Sequence, residues 1–567
     1  MTAAQIDCHS ITQKGEKQMK LQNNNIIKGF TRSLSVQAAA MVVFSVLAFT
    51  IQPVYAFGIP TENQNITIRW DNTLKYSNMY RLLDQDKKLI ADKNTDDGNR
   101  NFDKGFVSNR FDIYSEFDAV YAADDMSSSF GTRFSTAAWY DANYNSSNDN
   151  NSPLTTNQRS VPYNQFTNGT KVQHGRNIEL MDAFVFGRTL LGEGGSINTR
   201  VGRFAQVWGE TLFLGGNGIA GTMSPVDAAK ALSVPGTTFK EIIRPVAQIS
   251  LDYQAVPDLT FNLFYQFQHE KTLLPASGSY FSTNDFLFNG GERLLLTPTN
   301  AGPAFSRGAD MDASDNGQFG AAMKFRFGGR PESFGLYAVR YHSKTPYVYT
   351  YPAQSKVVQV FPEDIWAFAA SANRTFGDLN IGTEVMHQRN APLASNPAAV
   401  LPGVKADNSD NPLYAVGQTF HANISAIYTV PRTPLFDEAG LSTEFGFNRR
   451  LSVTKNSKAL NPDSSRDAWG STTVFTPTYR QVLNGLDMSV PVSLAYTTDG
   501  KSSVSAASFG GVGRGGTFGL GLKGTYEQVW ISTLQYSKYL GDSTGAGVFS
   551  QTKADRDFIS FSIQRTF

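Results

Sequence analysis

Cysteine is almost absent from the sequence. The 567 residues include one cysteine, Cys8, which precedes the apolar run that we interpret below as a targeting segment. A chain processed after that run has no cysteine for a disulfide or for thiol chemistry, although its predicted compartment is oxidising. Cys8 also lies on the wrong side of the run to anchor a lipoprotein.

Charge is scarce as well. Charged residues make up 17% of the chain, below the roughly 25% of soluble domains, and the formal net charge is +1. This balance predicts no basic surface for a nucleic acid and no strongly charged partner. Aromatic residues, in contrast, reach 12%. The combination suits a β-barrel with a lipid-facing band, a wet lumen and polar loops.

Long apolar runs are limited to one, at residues 34–51. A basic segment with Lys28 and Arg32 precedes it, and Val54-Tyr55-Ala56 has the small-x-small pattern of a cleavage site. Residues 1–56 are therefore predicted to be a signal peptide. The alternative is a membrane anchor, which the shortness of the run and the lack of a second apolar helix disfavour.

From residue 57 onward, apolar and polar residues alternate with a period of two, which predicts strands that face two different solvents. In the last strand Ile559 and Phe561 share one face, whereas Ser560 and Ser562 share the other. The strand ends on Phe567 and resembles the closing strand of bacterial outer-membrane barrels, whose terminal aromatic residue is read by the barrel assembly machinery. An ordinary amphipathic edge strand is the alternative.

We predict about 18 such strands (16–18) in residues 57–567, forming an all-β, transmembrane, up-and-down antiparallel barrel in the bacterial outer membrane. Short periplasmic turns would alternate with long extracellular loops. These loops are rich in Asn, Ser, Asp, Gly and Thr, and we expect them to be irregular. The predicted strands are 66–80, 107–121, 127–142, 175–189, 196–206, 243–254, 258–270, 315–328, 333–345, 363–375, 378–390, 416–430, 440–451, 470–481, 487–498, 514–524, 527–539 and 556–567.

Charged residues on the polar faces of these strands are candidates for the lumen wall. Mixed signs on such a wall can orient a passing solute. The alternative is that these residues pair with one another and hold the wall in place. The candidates are Arg110, Asp112, Glu116, Asp118, Arg200, Lys324, Arg326, Glu384 and Arg450.

One long loop, residues 207–242, differs from the others. Ser224 as an N-cap, followed by Pro225, predicts the start of a short helix, and Pro235-Gly236 predicts its end. A helix with an apolar face is unusual for an exposed loop, so we expect the segment to fold into the lumen as a constriction or plug. The alternative is a helix on the outer rim. Its candidate anchoring residues are Trp208, Glu210, Asp227, Lys240 and Glu241.

No pattern in the chain predicts catalysis, a cofactor or a metal site. Gly541-Asp542-Ser543-Thr544-Gly545 fits the G-x-S-x-G pattern of serine hydrolases, but it lies in a predicted glycine-rich loop. Hydrolases expose that serine on a strand–turn–helix. Four histidines lie on separate predicted strands without the spacing of metal ligands. We therefore expect a protein that is not an enzyme.

Several stretches of the chain also carry family motifs. They are Trp70-Asp71-Asn72-Thr73-Leu74-Lys75-Tyr76, Asp97-Gly98-Asn99-Arg100-Asn101-Phe102, Val201-Gly202-Arg203, Trp208-Gly209-Glu210, Lys240-Glu241 and Tyr341-His342-Ser343-Lys344-Thr345-Pro346. Together these stretches resemble the proteobacterial outer-membrane family known as domain of unknown function 1302 (DUF1302). The resemblance spans most of the chain after residue 57 and is densest at residues 202–346.

The resemblance implies an outer-membrane barrel that works with a periplasmic partner and an inner-membrane exporter of the resistance-nodulation-division type. It thereby implies traffic of hydrophobic or lipid-like molecules, and it supplies no catalytic residues. The expected function is a channel or transporter for such a molecule, in contact with outer-membrane lipid. Two alternatives stay open: a general diffusion porin, and a structural barrel or outer-membrane hydrolase.

Overall fold

The computed structural model describes residues 57–504, 509, 513–541, 543 and 550–567. The predicted signal peptide lies outside the described residues, as do Asp542, Thr544 and Gly545 of the G-x-S-x-G motif. Among the described residues, no helix combines the length and the apolar composition that crossing a membrane requires.

Eighteen antiparallel strands form a closed barrel, because each strand pairs with the next and the last pairs with the first. The predicted barrel is confirmed, and its strand bounds agree with the predicted ones to within a few residues. The barrel strands, numbered in chain order, are β1 Ile66–Arg81, β2 Gly105–Ala122, β3 Ser128–Asp141, β4 Arg176–Leu191, β5 Gly195–Phe204, β6 Val246–Val256, β7 Leu259–Gln266, β8 Gln318–Arg326, β9 Ser333–Tyr341, β10 Ile365–Phe376, β11 Leu379–Pro392, β12 Val416–Val430, β13 Glu438–Lys455, β14 Asp467–Leu483, β15 Leu486–Ser489 with Val492–Asp499, β16 Gly516–Tyr526, β17 Trp530–Leu540 and β18 Phe558–Thr566.

Proline explains why β15 is divided. Pro491 has no backbone N–H to donate to the ladder, so regular pairing stops there. The wall nevertheless stays joined on both sides of the break. The Val490 N–H donates to the Pro477 carbonyl of β14 at 3.0 Å, and the Pro491 carbonyl accepts from the Gly521 N–H of β16 at 2.8 Å.

The alternation of each strand separates two surfaces of the barrel. Large apolar side chains are exposed on the outer surface, for example Ile178 at 78% and Phe130 at 62%. On the inner surface the corresponding positions of β18 are Ser560 and Ser562, which are buried. Apolar groups that face outward need an apolar surrounding, and a bilayer supplies it.

Short turns and long loops alternate along the chain, as predicted. The end of the barrel that carries the turns is called the turn end, and the opposite end the loop end. The turns are 123–127, 192–194, 257–258, 327–332, 377–378, 431–437, 484–485 and 527–529, and the loops are 82–104, 142–175, 205–245, 267–317, 342–364, 393–415, 456–466, 500–515 and 541–557.

The loops are more ordered than the sequence predicted. Three of them form a five-stranded sheet in the order Ala398–Ala399, Tyr347–Tyr351, Lys356–Val360, Ala304–Arg307 and Arg293–Leu295. Its valines and tyrosines pack into a cluster that includes Tyr349, Val360 and Tyr414, and this burial outweighs the polar composition of the loops. The other short elements are the strand Phe57–Ile59, the α-helices Asp97–Arg100, Asn168–Thr170, Ala228–Ser233 and Phe239–Ile242, the π-helix Lys171–Gly175, and the 3-10 helices Gly192–Gly194, Gly215–Asn217, Ile219–Thr222, Pro352–Gln354 and Ser457–Ala459.

Two buried carboxylates join the first and fourth loops. The Asp97 N–H donates to Asp285 Oδ2 at 2.9 Å, and Asp97 itself accepts from Asn150 and from the Asn157 N–H, each at 3.2 Å. Burial, together with the neighbouring Asp96, raises the pKa of Asp97 to about 7. Burial, together with Asp97, raises the pKa of Asp285 well above its ordinary value. The folded loops therefore favour the protonated form of this pair.

We predict that these loops are less stable at pH 8 than at pH 5. A carboxyl group whose folded pKa is raised takes up protons on folding, so its contribution to stability falls as pH rises from about 4 to about 7. Asp285→Asn should weaken this pH dependence, because the amide keeps an acceptor for the Asp97 N–H and removes the charge. Hydrogen–deuterium exchange of residues 97–101, corrected for intrinsic rates, measures the effect.

Asp410→Asn serves as the matched control, because Asp410 is exposed in another loop. It should leave the pH dependence of exchange at residues 97–101 as it is in the unaltered protein. Equal protection of these residues at pH 5 and pH 8 in the unaltered protein would contradict the prediction.

Candidate functional site

The candidate site is built around the loop between β5 and β6, residues 205–245, which is called the lumen loop from here on. It contacts inward-facing side chains on opposite sides of the barrel. On one side these are Lys75 of β1 and Glu116 of β2, and on the other Glu384 of β11 and Glu444 of β13. The loop therefore lies across the lumen and does not rest on the rim.

Glu384 holds one point of the lumen loop by accepting two backbone hydrogen bonds. The Glu210 N–H donates to its Oε2 at 2.9 Å, and the Ile219 N–H donates to its Oε1 at 2.7 Å. Gly209 and Gly218 make this approach possible, since a Cβ at either residue would collide with the carboxylate. Gly209 also has φ +100°, which favours glycine.

Glu444 holds a second point with a single oxygen atom. The N–H groups of Leu212, Phe213 and Leu214 converge on its Oε2 at 3.1, 2.6 and 2.7 Å. Three successive amides aimed at one point form a concave anion site. Glu444 is fully buried, so these donors replace the water that its Oε2 would otherwise bind, whereas its Oε1 has no hydrogen-bond partner among the described residues.

Asn217, at the tip between these two points, is held by polar side chains of β12 and β13. Its Nδ2 donates to Asn423 Oδ1 at 3.0 Å and to the Phe447 carbonyl at 3.1 Å. Its Oδ1 lies 3.1 Å from Asn448 Nδ2 and 3.0 Å from His421 Nδ1. Every hydrogen-bonding atom of the Asn217 side chain is thus engaged with the wall.

The other end of the lumen loop is held by ion pairs. Lys75 Nζ lies 3.2 Å from Glu241 Oε2, and both residues are buried. Glu241 also accepts from the Thr238 N–H at 2.7 Å and so completes a capping box for Phe239–Ile242. Lys240 pairs with Glu116 of β2. Glu241 therefore both starts a helix and fixes it to the wall.

The helix in the lumen loop begins later than the sequence predicted. Asp227, and not Ser224, is the N-cap of Ala228–Ser233, and its Oδ1 accepts from the Lys230 N–H at 2.7 Å. Ser224 bonds instead to the backbone of Gln206, accepting from its N–H at 2.9 Å. The tertiary contact with Gln206 takes the Ser224 hydroxyl away from the helix end.

Trp208 anchors an apolar contact between the lumen loop and the wall. Its ring lies 5.1 Å from that of Phe264 on β7 and 6.1 Å from that of Tyr337 on β9. One sector of the inner wall is therefore apolar, which is unusual for a lumen filled with water. The buried members of the cluster are Trp208, Ile219, Met223, Phe264, Ala322, Tyr337, Val339, Ala367, Ala369 and Met386.

The predicted wall residues fall into two groups. Four acids have partners: Asp112 pairs with Arg110 at 2.8 Å, Asp118 with Arg133 at 2.7 Å, Glu116 with Lys240, and Glu384 with the loop amides. The second group consists of cations on inward faces, which lie opposite small polar residues: Arg200 opposite Ser250, Lys324 opposite Thr260 and Arg326 opposite Ser333. No described residue forms a side-chain ion pair or hydrogen bond with these three cations. Arg450 lies opposite the buried Thr419.

Four residues of the site were missed by sequence reasoning: Lys75, Asn217, Lys344 and Glu444. Lys75 and Glu444 lie on the polar faces of predicted strands, so the period of two could have identified them. Lys344 donates from Nζ to the Thr222 carbonyl of the lumen loop at 3.1 Å, and burial lowers its pKa to about 7. No local pattern distinguishes Asn217 from other loop residues, and Lys344 stands in one of the family motifs, which assigns it no role.

The remaining candidate groups are already engaged. His342, Glu363 and Asp364 come close enough to share a metal ion. However, His342 Nδ1 accepts from the Asp364 N–H at 3.1 Å, and Asp364 is paired with Arg340. Ser543 donates to Asp86 Oδ2 at 3.1 Å. Its hydrogen bond is to a carboxylate, which does not supply the histidine base of a hydrolase triad.

Comparison with known families gives a match over nearly the whole chain. The model of a family described as "Protein of unknown function (DUF1302)" matches residues 37–567, and the resemblance found in the sequence is thereby confirmed. No curated protein matches the chain significantly.

Solved structures of outer-membrane porins are similar to the barrel at low sequence identity. OccAB3 from Acinetobacter baumannii is 10% identical, with a TM-score of 0.44, over 88% of this chain and 99% of that one. A BenF-like porin from Pseudomonas fluorescens Pf-5 is 10% identical, with a TM-score of 0.41, over 89% and 98%. Pseudomonas aeruginosa OpdK, solved with vanillate, is 8% identical, with a TM-score of 0.39, over 88% and 98%.

We predict that Glu444→Ala releases the lumen loop without unfolding the barrel. The substitution leaves the N–H groups of Leu212, Phe213 and Leu214 without their acceptor, and each buried donor without a partner costs about 1–3 kcal/mol. Hydrogen–deuterium exchange at these three amides should rise at least about tenfold. Glu444→Gln, which keeps an acceptor oxygen but not the charge, should have a smaller effect.

Glu438→Ala is the control, because Glu438 pairs with Arg480 at an exposed position on the same strand. Exposed pairs contribute little, so exchange in the lumen loop should stay as it is. The account of this anchor is wrong if Glu444→Ala leaves the three amides as protected as before.

Proposed function

The chain belongs to the DUF1302 family of proteins of unknown function, and from this premise we propose that it is an outer-membrane channel of the transporter type. Its lumen loop restricts passage, and its cargo is a hydrophobic or lipid-like molecule. The observation that carries the proposal is the fixation of the lumen loop to both sides of the wall, through Lys75 on one side and Glu384 and Glu444 on the other.

The anchoring pattern supports a built constriction. A loop that only closes the lumen could be held by a few contacts at its base. The lumen loop is held at several separate points, and two of them use buried carboxylates that backbone amides satisfy. Burying a carboxylate without hydrogen-bond donors is costly, so the amides of the loop lower the cost of burying these two side chains, and the side chains fix the loop. Such a loop narrows the pore in a defined way.

The apolar sector supports a hydrophobic cargo. Trp208, Phe264 and Tyr337 present aromatic surface inside the barrel, where small polar solutes would meet polar walls. Aromatic surface binds apolar molecules by excluding water. A general diffusion porin, the alternative from the sequence, has no need of such a sector.

The outer surface supports residence in the outer membrane, surrounded by lipid. Folding there would require the barrel assembly machinery, with Phe567 as the residue that it reads. Phe567 forms the last ladder contact with β1, since its N–H donates to the Asn72 carbonyl at 2.9 Å. A periplasmic partner and an exporter of the resistance-nodulation-division type would supply or receive the cargo at the turn end. The protein itself would not be an enzyme and would use no cofactor.

We predict that replacing residues 216–236 by a short Gly-Ser linker yields a folded barrel with a much higher single-channel conductance. The replacement removes Asn217 and the Ile219 amide, and with them the contacts to β11, β12 and β13. Without the segment, the water-filled path through the lumen is wider. Conductance in planar bilayers, with heat-modifiable migration as the test of folding, measures the outcome.

A replacement of residues 401–406 in an exposed loop is the matched control and should not change the conductance. An unchanged conductance after removal of residues 216–236 would show that the segment does not restrict passage. A high conductance in the unaltered protein, with no preference among solutes, would favour the diffusion porin.

A further inference from the structure

Five cationic side chains on the inner wall, on the turn side of the lumen loop, have no side-chain partner among the described residues. Each belongs to the inward face of its strand, because it lies opposite an inward-facing residue of a neighbouring strand. None of them forms a side-chain hydrogen bond or an ion pair within the part of the chain that the structure describes. They are Arg188 on β4, Arg200 on β5, Lys324 and Arg326 on β8, and Lys523 on β16.

The acids of the inner wall differ from these cations, because each has a donor. Three are paired with cations, as described above. Asp252 accepts from Asn262 Nδ2 at 2.6 Å, and Asp182 accepts from Ser135 Oγ at 3.0 Å. Glu384 and Glu444 accept hydrogen bonds from amides of the lumen loop. The acids of the wall are therefore already engaged by donors, whereas the five cations are free to bind a solute.

The five cations lie between the lumen loop and the turn end. Arg326 is the last residue of β8, and Arg188 and Lys523 are each three residues from the end of their strands. Lys324 is close enough to Glu210 to oppose the rise that burial causes in the pKa of that loop residue. These side chains form the wall of a vestibule, called the basic vestibule here, on the turn side of the lumen loop.

The basic vestibule borders the apolar sector directly. Lys324 is two residues from Ala322 of the apolar cluster, on the same face of β8. Arg200 lies opposite Ser250, which in turn lies opposite Phe264 of the cluster. Neighbouring strands are about 4.8 Å apart, so Arg200 and Phe264 are roughly 10 Å apart across the sheet. A molecule of ordinary length can touch both surfaces at once.

We propose that the basic vestibule binds the head of an amphipathic anion, a molecule with an apolar body and a carboxylate, sulfonate or phosphate group. The inference rests on the proposed channel function and specifies its cargo. Cations that line a narrow lumen without ion-pair partners attract anions and can bind them. The adjoining aromatic sector takes the apolar body. An uncharged lipid would bind the aromatic sector but would offer no anionic group to the basic vestibule.

The first test is charge selectivity. The unaltered barrel and the barrel without residues 216–236 are placed in planar bilayers under a KCl gradient, and the reversal potential is measured. We expect chloride to carry most of the current. A variant with Arg188, Arg200, Lys324, Arg326 and Lys523 changed to Gln should lose this preference. Arg389→Gln with Lys538→Gln, two exposed cations on the outer face, should keep it.

The second test uses probes that share one tail and differ in charge. Decanoate, decanol and decyltrimethylammonium are compared as blockers of the current. Decanoate should block at a concentration about fivefold lower than either of the others, the effect expected for one or two solvated charge contacts. The five-residue variant should remove the difference, and the outer-face variant should preserve it.

The outcomes separate the two proposals. If neither barrel conducts and no probe binds, the channel function fails, and this inference fails with it. If the barrels conduct but prefer potassium, or if the three probes block equally, the channel stands and the anionic cargo is overturned.

Discussion

Two buried carboxylates in the wall of the barrel determine how the lumen is organised. Glu384 and Glu444 face inward at positions where the lumen loop excludes water. Each needs hydrogen-bond donors, and the backbone amides of the lumen loop supply them. The loop amides, in turn, belong to irregular chain and have no ladder of their own. Wall and loop therefore satisfy each other's polar groups, and these hydrogen bonds fix the position of the loop in the lumen.

This mutual dependence divides the inner surface into regions with different chemistry. Around the lumen loop the charged groups have partners, which are backbone amides at Glu384 and Glu444 and an ion pair at Lys75 and Glu241. One sector is apolar and is covered by Trp208. On the turn side, cations remain without partners. A solute that moves along this path meets a positive vestibule beside an aromatic surface, and this sequence of surfaces is the basis of the proposed cargo.

The barrel could be predicted because its signal is local. Alternation with a period of two is imposed on each strand by lipid on one side and the lumen on the other, so Ser560 and Ile559 are informative without any knowledge of their partners. Breaks such as Pro491 do not change the pattern. The sequence also distinguishes residues 207–242 from the other long loops, although the role of this segment as a constriction stays a prediction.

The partners within the site were not visible, because they depend on contacts between distant parts of the chain. Glu384 lies 165 residues from Ile219, and nothing near either residue specifies their hydrogen bond. The same limit explains two wrong expectations. The sequence predicts Ser224 as a helix N-cap, but its hydroxyl accepts from the Gln206 N–H instead. It also predicts irregular polar loops, whereas three of them pair into a sheet.

The central claim is the position of the lumen loop, and a crosslink tests it most directly. Cysteines introduced by Asn217→Cys and Asn423→Cys, in a chain otherwise without cysteine after residue 8, should be joined by dibromobimane in the folded barrel, since the two native side chains are 3.0 Å apart. The pair Asn217→Cys and Leu435→Cys, with its second residue at the turn end, should not be joined. Absence of the first crosslink, together with labelling of Asn217→Cys by a bulky impermeant maleimide from outside, would contradict the account.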